Sequence, residues 1–358
     1  MRIELPISKS IANRLLILQA IHGDELMPVS ATLPEDVQIL HRALCLIASS
    51  PHCLIDVGNC GTAMRFLTAY AAQLENKVTV LDGVERMRHR PIGQLVDALR
   101  EIGADIEYLG EEGFPPLRIK GCILDKDRII TLDNPQSTQF VSALLLIGAN
   151  VQTDSTSPYI YITQEVIKQY QLSPFSYHLS VEKDWSSAAF WYEYVALHGG
   201  EITLPGLFRN SLQGDKVVAD IFAHLGVHTE YAPEGIILSP IAYSEASNSP
   251  HGGRPIAAQA ASHSKILTQD FGSCPDLYPA VALTCERLGI ELHATGVESL
   301  PLKESDRLRA VREHRTDHDH RMAMALLIAG YEVDDTACIS KSYPQFMEHF
   351  RRINTLKL

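Results

Sequence analysis

The chain has 358 residues, 46% of them hydrophobic and 21% charged, which suits a folded protein with large cores and argues against disorder. With 31 Lys and Arg against 43 Asp and Glu, the net charge is −12, so a nucleic-acid surface is not expected and any cluster of cations becomes informative. The N-terminus lacks a signal-peptide apolar core, and the longest apolar stretch, near Ala143 to Val151, is too short for a bilayer. The seven cysteines are odd in number and show no Cys-x-x-Cys spacing, so the expectation is a reducing cytoplasm with neither a disulfide framework nor a zinc ribbon.

Taken in chain order, the first informative segment is Ser8-Lys9-Ser10-Ile11-Ala12-Asn13-Arg14. Ile11, Leu15 and Leu18 form a helical apolar face, so two cations and two hydroxyls gather at one helix start, where free N–H groups and the helix dipole favour an anion. Gly58-Asn59-Cys60-Gly61-Thr62-Ala63-Met64-Arg65 repeats the arrangement, with glycines that let backbone approach a ligand. Arg86-Met87-Arg88-His89-Arg90-Pro91 follows, and Pro91 opens a helix whose face carries Leu95, Leu99 and Ile102. Of its arginines, Arg86 is the ligand candidate, while Arg88 and Arg90 read as solvated charges. Further along stand Ser137-Thr138-Gln139, Tyr159, Pro275-Asp276, Lys303-Glu304-Ser305-Asp306-Arg307, Asp319-His320-Arg321-Met322 and Lys341-Ser342.

Between these motifs a pattern recurs: an amphipathic helix, a glycine suited to a left-handed cap, then a short alternating strand. It is expected around Gly23, Gly103, Gly199, Gly226, Gly289 and Gly330. Residues 242 to 264, rich in Ser, Ala, Gly and His, read as a surface connection.

Together the motifs resemble the enolpyruvyl transferase family, in the branch acting on shikimate 3-phosphate, from Leu5 to about Phe350. That resemblance implies an α+β protein of two similar globules, each of three βαβαββ-type units with helices inside and sheets outside, an inside-out α/β barrel. Residues 9–181 would form the first globule, and 1–8 with 182–358 the second. The implied activity is transfer of the enolpyruvyl group of phosphoenolpyruvate to the 5-hydroxyl of shikimate 3-phosphate. Phosphate is released, and the step belongs to chorismate and aromatic amino-acid biosynthesis.

By the same resemblance, Lys9, Ser10 and Arg14 would hold shikimate 3-phosphate, with Ser137, Thr138 and Gln139 around its phosphate and hydroxyls, and Tyr159, Asp276 and Lys303 are further substrate-binding positions. Gly61, Arg65, Arg86, Gln139, Arg307, Arg321 and Lys341 would hold phosphoenolpyruvate, drawing on both globules. Asp276 would orient or deprotonate the attacking hydroxyl, Glu304 would exchange a proton with the methylene carbon, and Lys341 and Lys9 are competing proton carriers. No metal, cofactor, nucleic acid or membrane is implied, and the resemblance suggests a cytoplasmic monomer.

One departure is large. Only eleven residues separate Arg307 from Asp319, where the family places a few dozen, so one repeat unit is shortened and Glu304 and Arg307 are at risk of misplacement. A shikimate-phosphate-binding protein without catalysis therefore remains an alternative, as does transfer to a UDP-sugar. His314, Asp317, His318, Asp319 and His320 also leave room for a metal-dependent hydrolase, although their spacing lacks a helical i, i+4 pair.

Overall fold

The computed structural model describes residues 1–172, 181–241 and 266–355, so the connection expected at 242 to 264 lies outside the described residues. The chain divides into two compact units, Ser8–Val181 and Met1–Ile7 with Glu182–Leu358. No described helix is long and apolar enough to cross a membrane.

The unit Ser8–Val181 opens with helices α1 (Lys9–His22) and α2 (Glu35–Ser49). It continues through β1 (His52–Asp56), α3 (Gly61–Ala72), β2 (Val78–Asp82), a single turn α4 (Glu85–Arg88), α5 (Gly93–Glu101), β3 (Asp105–Tyr108) and β4 (Leu117–Lys120). This is one complete βαβαββ set, with sheet order β1-β2-β4-β3: β1 runs parallel to β2, and β4 lies antiparallel to both β2 and β3. A shorter set follows, β5 (Ile129–Thr131), α6 (Thr138–Leu146), β6 (Asn150–Gln152) and α7 (Pro158–Leu172), with β5 parallel to β6.

The other unit repeats the design. Met1 and Ile3 bond to Thr203 as a parallel bridge, so the first residues of the chain act as the opening strand. They precede α8 (Trp185–His198), β7 (Ile202–Pro205), α9 (Val218–Ala223), β8 (Val227–Ala232) and β9 (Gly235–Pro240), and the sheet order is β7-β9-β8. Then come β10 (Ile266–Asp270), α10 (Tyr278–Leu288), β11 (Glu291–Thr295), a short α11 (Arg307–Glu313), α12 (His320–Ala329) and α13 (Phe346–Thr355). Strands β10 and β11 are a parallel pair whose outward residues are exposed.

Helix α8 is buried on every side from Trp185 to Ala196, as a helix that is apolar all round must be, and anchors the core with Phe222, Phe271, Leu283, Met322 and Phe346. Helices are inside and sheets outside. The glycines at 23, 103, 199, 226, 289 and 330 all have positive φ, and strands follow four of them; after Gly23 and Gly330 no described strand begins.

The shortened unit is visible between Arg307 and Asp319. Helix α11 ends at His314 with φ 51°, where the complete set has its left-handed Gly103 before β3. Here no hairpin follows. Asp317 and His318 also adopt positive φ, at 46° and 59°, and the chain enters α12 directly at its cap, Asp319.

Glu193 sits inside α8, fully buried, with both carboxylate oxygens lacking a hydrogen-bond donor among the described residues. Burial raises its carboxyl well above the usual range. Its folded affinity for a proton exceeds the unfolded one, so its stabilising proton is held below the ordinary Glu range and is lost as pH rises toward the folded value. Glu193→Leu should therefore stabilise the protein by about 1–3 kcal/mol near neutral pH, and should flatten the decline of stability with rising pH, read by denaturant melts at several pH values.

Candidate active site

In the unit Ser8–Val181 the predicted residues gather at three helix starts. Gln139 Nε2 donates to Thr62 Oγ1 at 2.9 Å and ties the start of α6 to that of α3. Ser137 caps α6 by accepting from the Gln139 N–H, and Thr138 is the first helical residue. Lys9, at the start of α1, pairs with the buried Asp36 at 2.8 Å, and Ser10 follows it, partly buried.

Arg65 lies one turn into α3 and is 2% exposed. Its terminal nitrogens donate to the carbonyls of Gly61 and Pro91 and to Met87 Sδ, while Nε has no acceptor, and among the described residues no carboxylate faces it. Burial and then the charge of Arg90 push its guanidinium well below the usual range. A buried cation without a counter-charge is costly, and an anion arriving there would relieve that cost.

The structure corrects the assignment of the arginine triplet. A Cβ built on Gly61 would lie 2.6 Å from both terminal nitrogens of Arg90, so Arg90 is the guanidinium laid against the glycine. Arg86 is exposed, on the single turn α4, and Arg88 forms an exposed two-pronged pair with Asp82 at 2.9 and 2.7 Å. The helical turn ends at His89, so the following residue is redirected. Two-residue alternation does not apply there. The carbonyl of Pro91, next to Arg90, accepts from Arg65.

Arg14 is buried among partners from its own unit. It donates to Thr163 Oγ1 at 2.7 Å, Ser142 Oγ at 3.1 Å and the carbonyls of Ser10 and Tyr159, and burial lowers its guanidinium to about 10. Its donors knit α1 to α6 and α7. Tyr159 enters this network through its backbone carbonyl.

The other unit places every predicted residue in one charged cluster. Asp276, before α10, receives Arg307 at 2.8 Å on one oxygen and Arg321 at 2.9 Å on the other, with Lys303 at 3.8 Å. Burial alone would raise its carboxyl, but Arg321, Lys303 and Arg307 outweigh burial and hold it well below the carboxylate range. Arg307, 1% exposed, bonds a second buried acid, Asp319, at 2.8 Å. Asp319 also accepts from Ser305 and caps α12. Burial opposes the charge of Arg307, but Asp319 and Asp276 raise its proton affinity. Arg321 Nη1 is buried with no acceptor among the described residues. Glu304 accepts from Lys341 at 2.9 Å on one oxygen and meets His320 Nδ1 at 2.8 Å on the other. Despite the shortened unit, Glu304 and Arg307 are held among partners.

His320 was visible in sequence as part of a motif and as a metal candidate; the structure places it beside Glu304. Ligand atoms of Glu304, Asp319 and His320 do lie within 4.8 Å of one another. Lys341 and Arg307 already neutralise the two acids, a donor set better suited to moving protons than to holding a dication. His314, Asp317 and His318 turn instead to Glu286, to Arg309 and Arg315, and to Asp335. They form no common ligand set.

Strand and helix sets of the βαβ kind recur in both units, with cations collected at helix starts. The family profile of EPSP synthase (3-phosphoshikimate 1-carboxyvinyltransferase) matches residues 34–173, 146–314 and 311–350, and the chain belongs to that family. It is 35% identical over 411 residues to a 3-phosphoshikimate 1-carboxyvinyltransferase of Bacteroides fragilis, covering 98% of this chain and 94% of the relative. A Colwellia psychrerythraea protein of the same name is 28% identical, over 98% and 96% of the two chains. The fold is similar to that of an EPSP synthase from Acinetobacter baumannii, with TM-score 0.66, 18% identity and coverage of 98% and 95%. Because the first alignment spans 411 residues and this chain has 358, the relative carries internal stretches that are absent here.

The cluster makes a stability prediction. Asp319→Asn removes one charge from a buried Arg307 and should cost about 3–5 kcal/mol, measured by chemical denaturation. Asp276 and Asp319 both hold depressed folded proton affinities, so their stabilisation is present above the ordinary carboxylate range and is lost as pH falls through the folded values. The variant should accordingly show a shallower acid slope than the parent.

Proposed function

We propose that this chain transfers the enolpyruvyl group of phosphoenolpyruvate to the 5-hydroxyl of shikimate 3-phosphate, releasing phosphate, in the shikimate pathway toward chorismate. The observation that carries the reading is Arg65, a buried guanidinium without a carboxylate, with Arg90 laid over Gly61 beside it. Such a pair calls for a ligand with several negative groups, and phosphate or carboxylate fits the planar fork of arginine.

In this reading residues 9–181 carry mainly the shikimate 3-phosphate site, through Lys9, Ser10, Ser137, Thr138 and Tyr159. Arg14 acts by fixing the start of α1. Residues 1–8 and 182–358 complete the phosphoenolpyruvate set, with Arg307, Arg321 and Lys341 joining Gly61, Arg65, Arg90 and Gln139. Asp276, surrounded by three cations, is a weak base and serves first to orient the attacking hydroxyl. Glu304 stands between two nitrogen donors, Lys341 and His320, so a proton given to the methylene carbon can be replaced from either side. Protonation there makes the adjacent carbon cation-like, the hydroxyl adds to it, and the tetrahedral product expels phosphate as a proton returns.

Arg90→Lys keeps the charge but loses the fork, and should weaken phosphoenolpyruvate binding by on the order of 1.5–3 kcal/mol, whereas Arg86→Lys should change it little. Gly61→Ala would push a methyl into Arg90 and should raise the phosphoenolpyruvate KM with little effect on shikimate 3-phosphate affinity. Steady-state kinetics with titrations of each ligand separate these outcomes, and an Arg86 effect larger than the Arg90 effect would reverse the assignment.

The chemical step has its own test. Glu304→Gln should bind both substrates yet slow phosphate release roughly 10²–10⁴-fold, and should slow deuterium uptake into the phosphoenolpyruvate methylene in heavy water. Uptake at the parental rate would transfer the proton-carrying role to Lys341 or Lys9.

A further inference from the structure

Both oxygens of Glu304 are met from elsewhere in the chain, one by Lys341 at 2.9 Å and the other by His320 at 2.8 Å. These partners stand on different elements: His320 is the first residue of α12, and Lys341 ends the helical turn Ala337–Lys341. Their separation therefore depends on what joins the stretch before α12 to the stretch before that turn. Two side-chain bonds do so. Thr316, 1% exposed, donates its hydroxyl to Asp334, and His318 Nδ1 meets Asp335 Oδ2 at 2.7 Å. Each half of this clamp is tied in turn to the residue it serves. The Thr316 carbonyl accepts at 2.9 Å from the N–H of Asp319, the cap of α12. The other oxygen of Asp335 accepts from the N–H groups of Ala337 at 2.8 Å and Cys338 at 3.4 Å, at the start of the turn that ends in Lys341. Just past Lys341, the buried Tyr343 hydroxyl accepts from Trp191 Nε1 at 3.2 Å, so the turn is pinned on both sides.

We propose that Thr316 and Asp335 are positioning residues for Glu304: by holding the turn before α12 against the turn before Lys341, they fix the spacing at which His320 and Lys341 bracket that carboxylate. The inference rests on the enolpyruvyl-transfer reading, in which Glu304 exchanges a proton with the methylene carbon. The backbone carries a second sign of the same constraint. Asp317 and His318 take left-handed conformations at φ 46° and 59°, which residues with a Cβ keep only where the surrounding bonds over-determine them. Asp317 itself turns away to Arg309 and Arg315, so the inward hold of this turn falls to its neighbours. The clamp also stands in the shortened connection, where the complete set has a hairpin to hold its helix ends. Proton transfer is sensitive to donor and acceptor placement, so a small slip between α12 and the Lys341 turn is felt in the chemical step more than in ligand affinity.

The test uses the whole chain and begins with the parent. A parent that releases no phosphate from shikimate 3-phosphate and phosphoenolpyruvate overturns the functional reading and this inference with it. In an active parent, Thr316→Val removes the hydroxyl at nearly constant volume and should lower kcat and deuterium uptake into the phosphoenolpyruvate methylene roughly 10–100-fold, with each KM held within about two-fold. Thr316→Ser keeps the donor and should return most of the rate. Asp335→Ala frees the start of the Lys341 turn and should show the same split between kcat and KM. Asp334→Ala deletes the Thr316 bond from an exposed position, so it reads the same effect even where Thr316→Val does not fold, with circular dichroism as the check. In a Glu304→Gln background Asp334→Ala should change phosphate release by less than about two-fold, because the group that the clamp positions is gone. A bond that serves stability alone would cost the same factor in both backgrounds. With an active parent, unchanged kcat in folded Asp334→Ala and Asp335→Ala overturns the inference alone, as does a loss confined to KM or one equal in both backgrounds.

Discussion

Arg307 reaches Asp276 with one nitrogen and Asp319 with another, and the second unit's chemistry hangs on this buried bridge. The two acids come from distant parts of the chain, one just before α10 and one capping α12, and the arginine opens α11 between them. Taking three charges out of water is costly unless each is matched, so the bridge holds only while all three members are present. Because Asp276 also binds Arg321, and Glu304 lies close in sequence to Arg307, the same network sets where Glu304 stands. A shortened connection can therefore be tolerated: its two ends are fixed by ion pairs instead of by the missing hairpin.

The unit Ser8–Val181 uses the opposite strategy. Its cations are less completely answered. Arg65 is surrounded by carbonyls and sulfur, which accept hydrogen bonds but supply no formal charge. One unit thus holds acids and bases paired with one another, and the other holds a buried guanidinium, Arg65, that no described carboxylate answers.

Much of this was legible in the sequence. The glycine caps followed from helix periodicity ending at a residue free to take positive φ, and the six positions all do so. The motif runs Lys303 to Arg307 and Asp319 to Arg321 were legible as sites of charged chemistry, but not their pairing with one another and with Asp276 and Lys341. Arg90 was not readable, because its direction depends on a one-turn helix that stops at His89, and single-turn elements leave no periodic trace. At a helix start the sequence does not show that the Arg14 guanidinium also bonds Thr163 and Ser142, from a helix pair far along the chain. Glu193 gave no warning, since a lone acid in an apolar helix reads as a solvated position until the helix proves buried all round.

The parallel bridge between the first residues and Thr203 has a consequence for synthesis. Met1 donates to the carbonyl of Glu201, 200 residues away, so the opening strand leaves the ribosome long before its partner exists. At ordinary translation speeds that interval is roughly 10–40 s, during which Ser8–Val181 can fold as a nascent domain. The first seven residues then act as a tether held in waiting, and the second unit closes only by recruiting them back. Its assembly is necessarily late and non-local, the kind of contact that is slow to form, whereas its neighbour is contiguous and can be finished in a single pass.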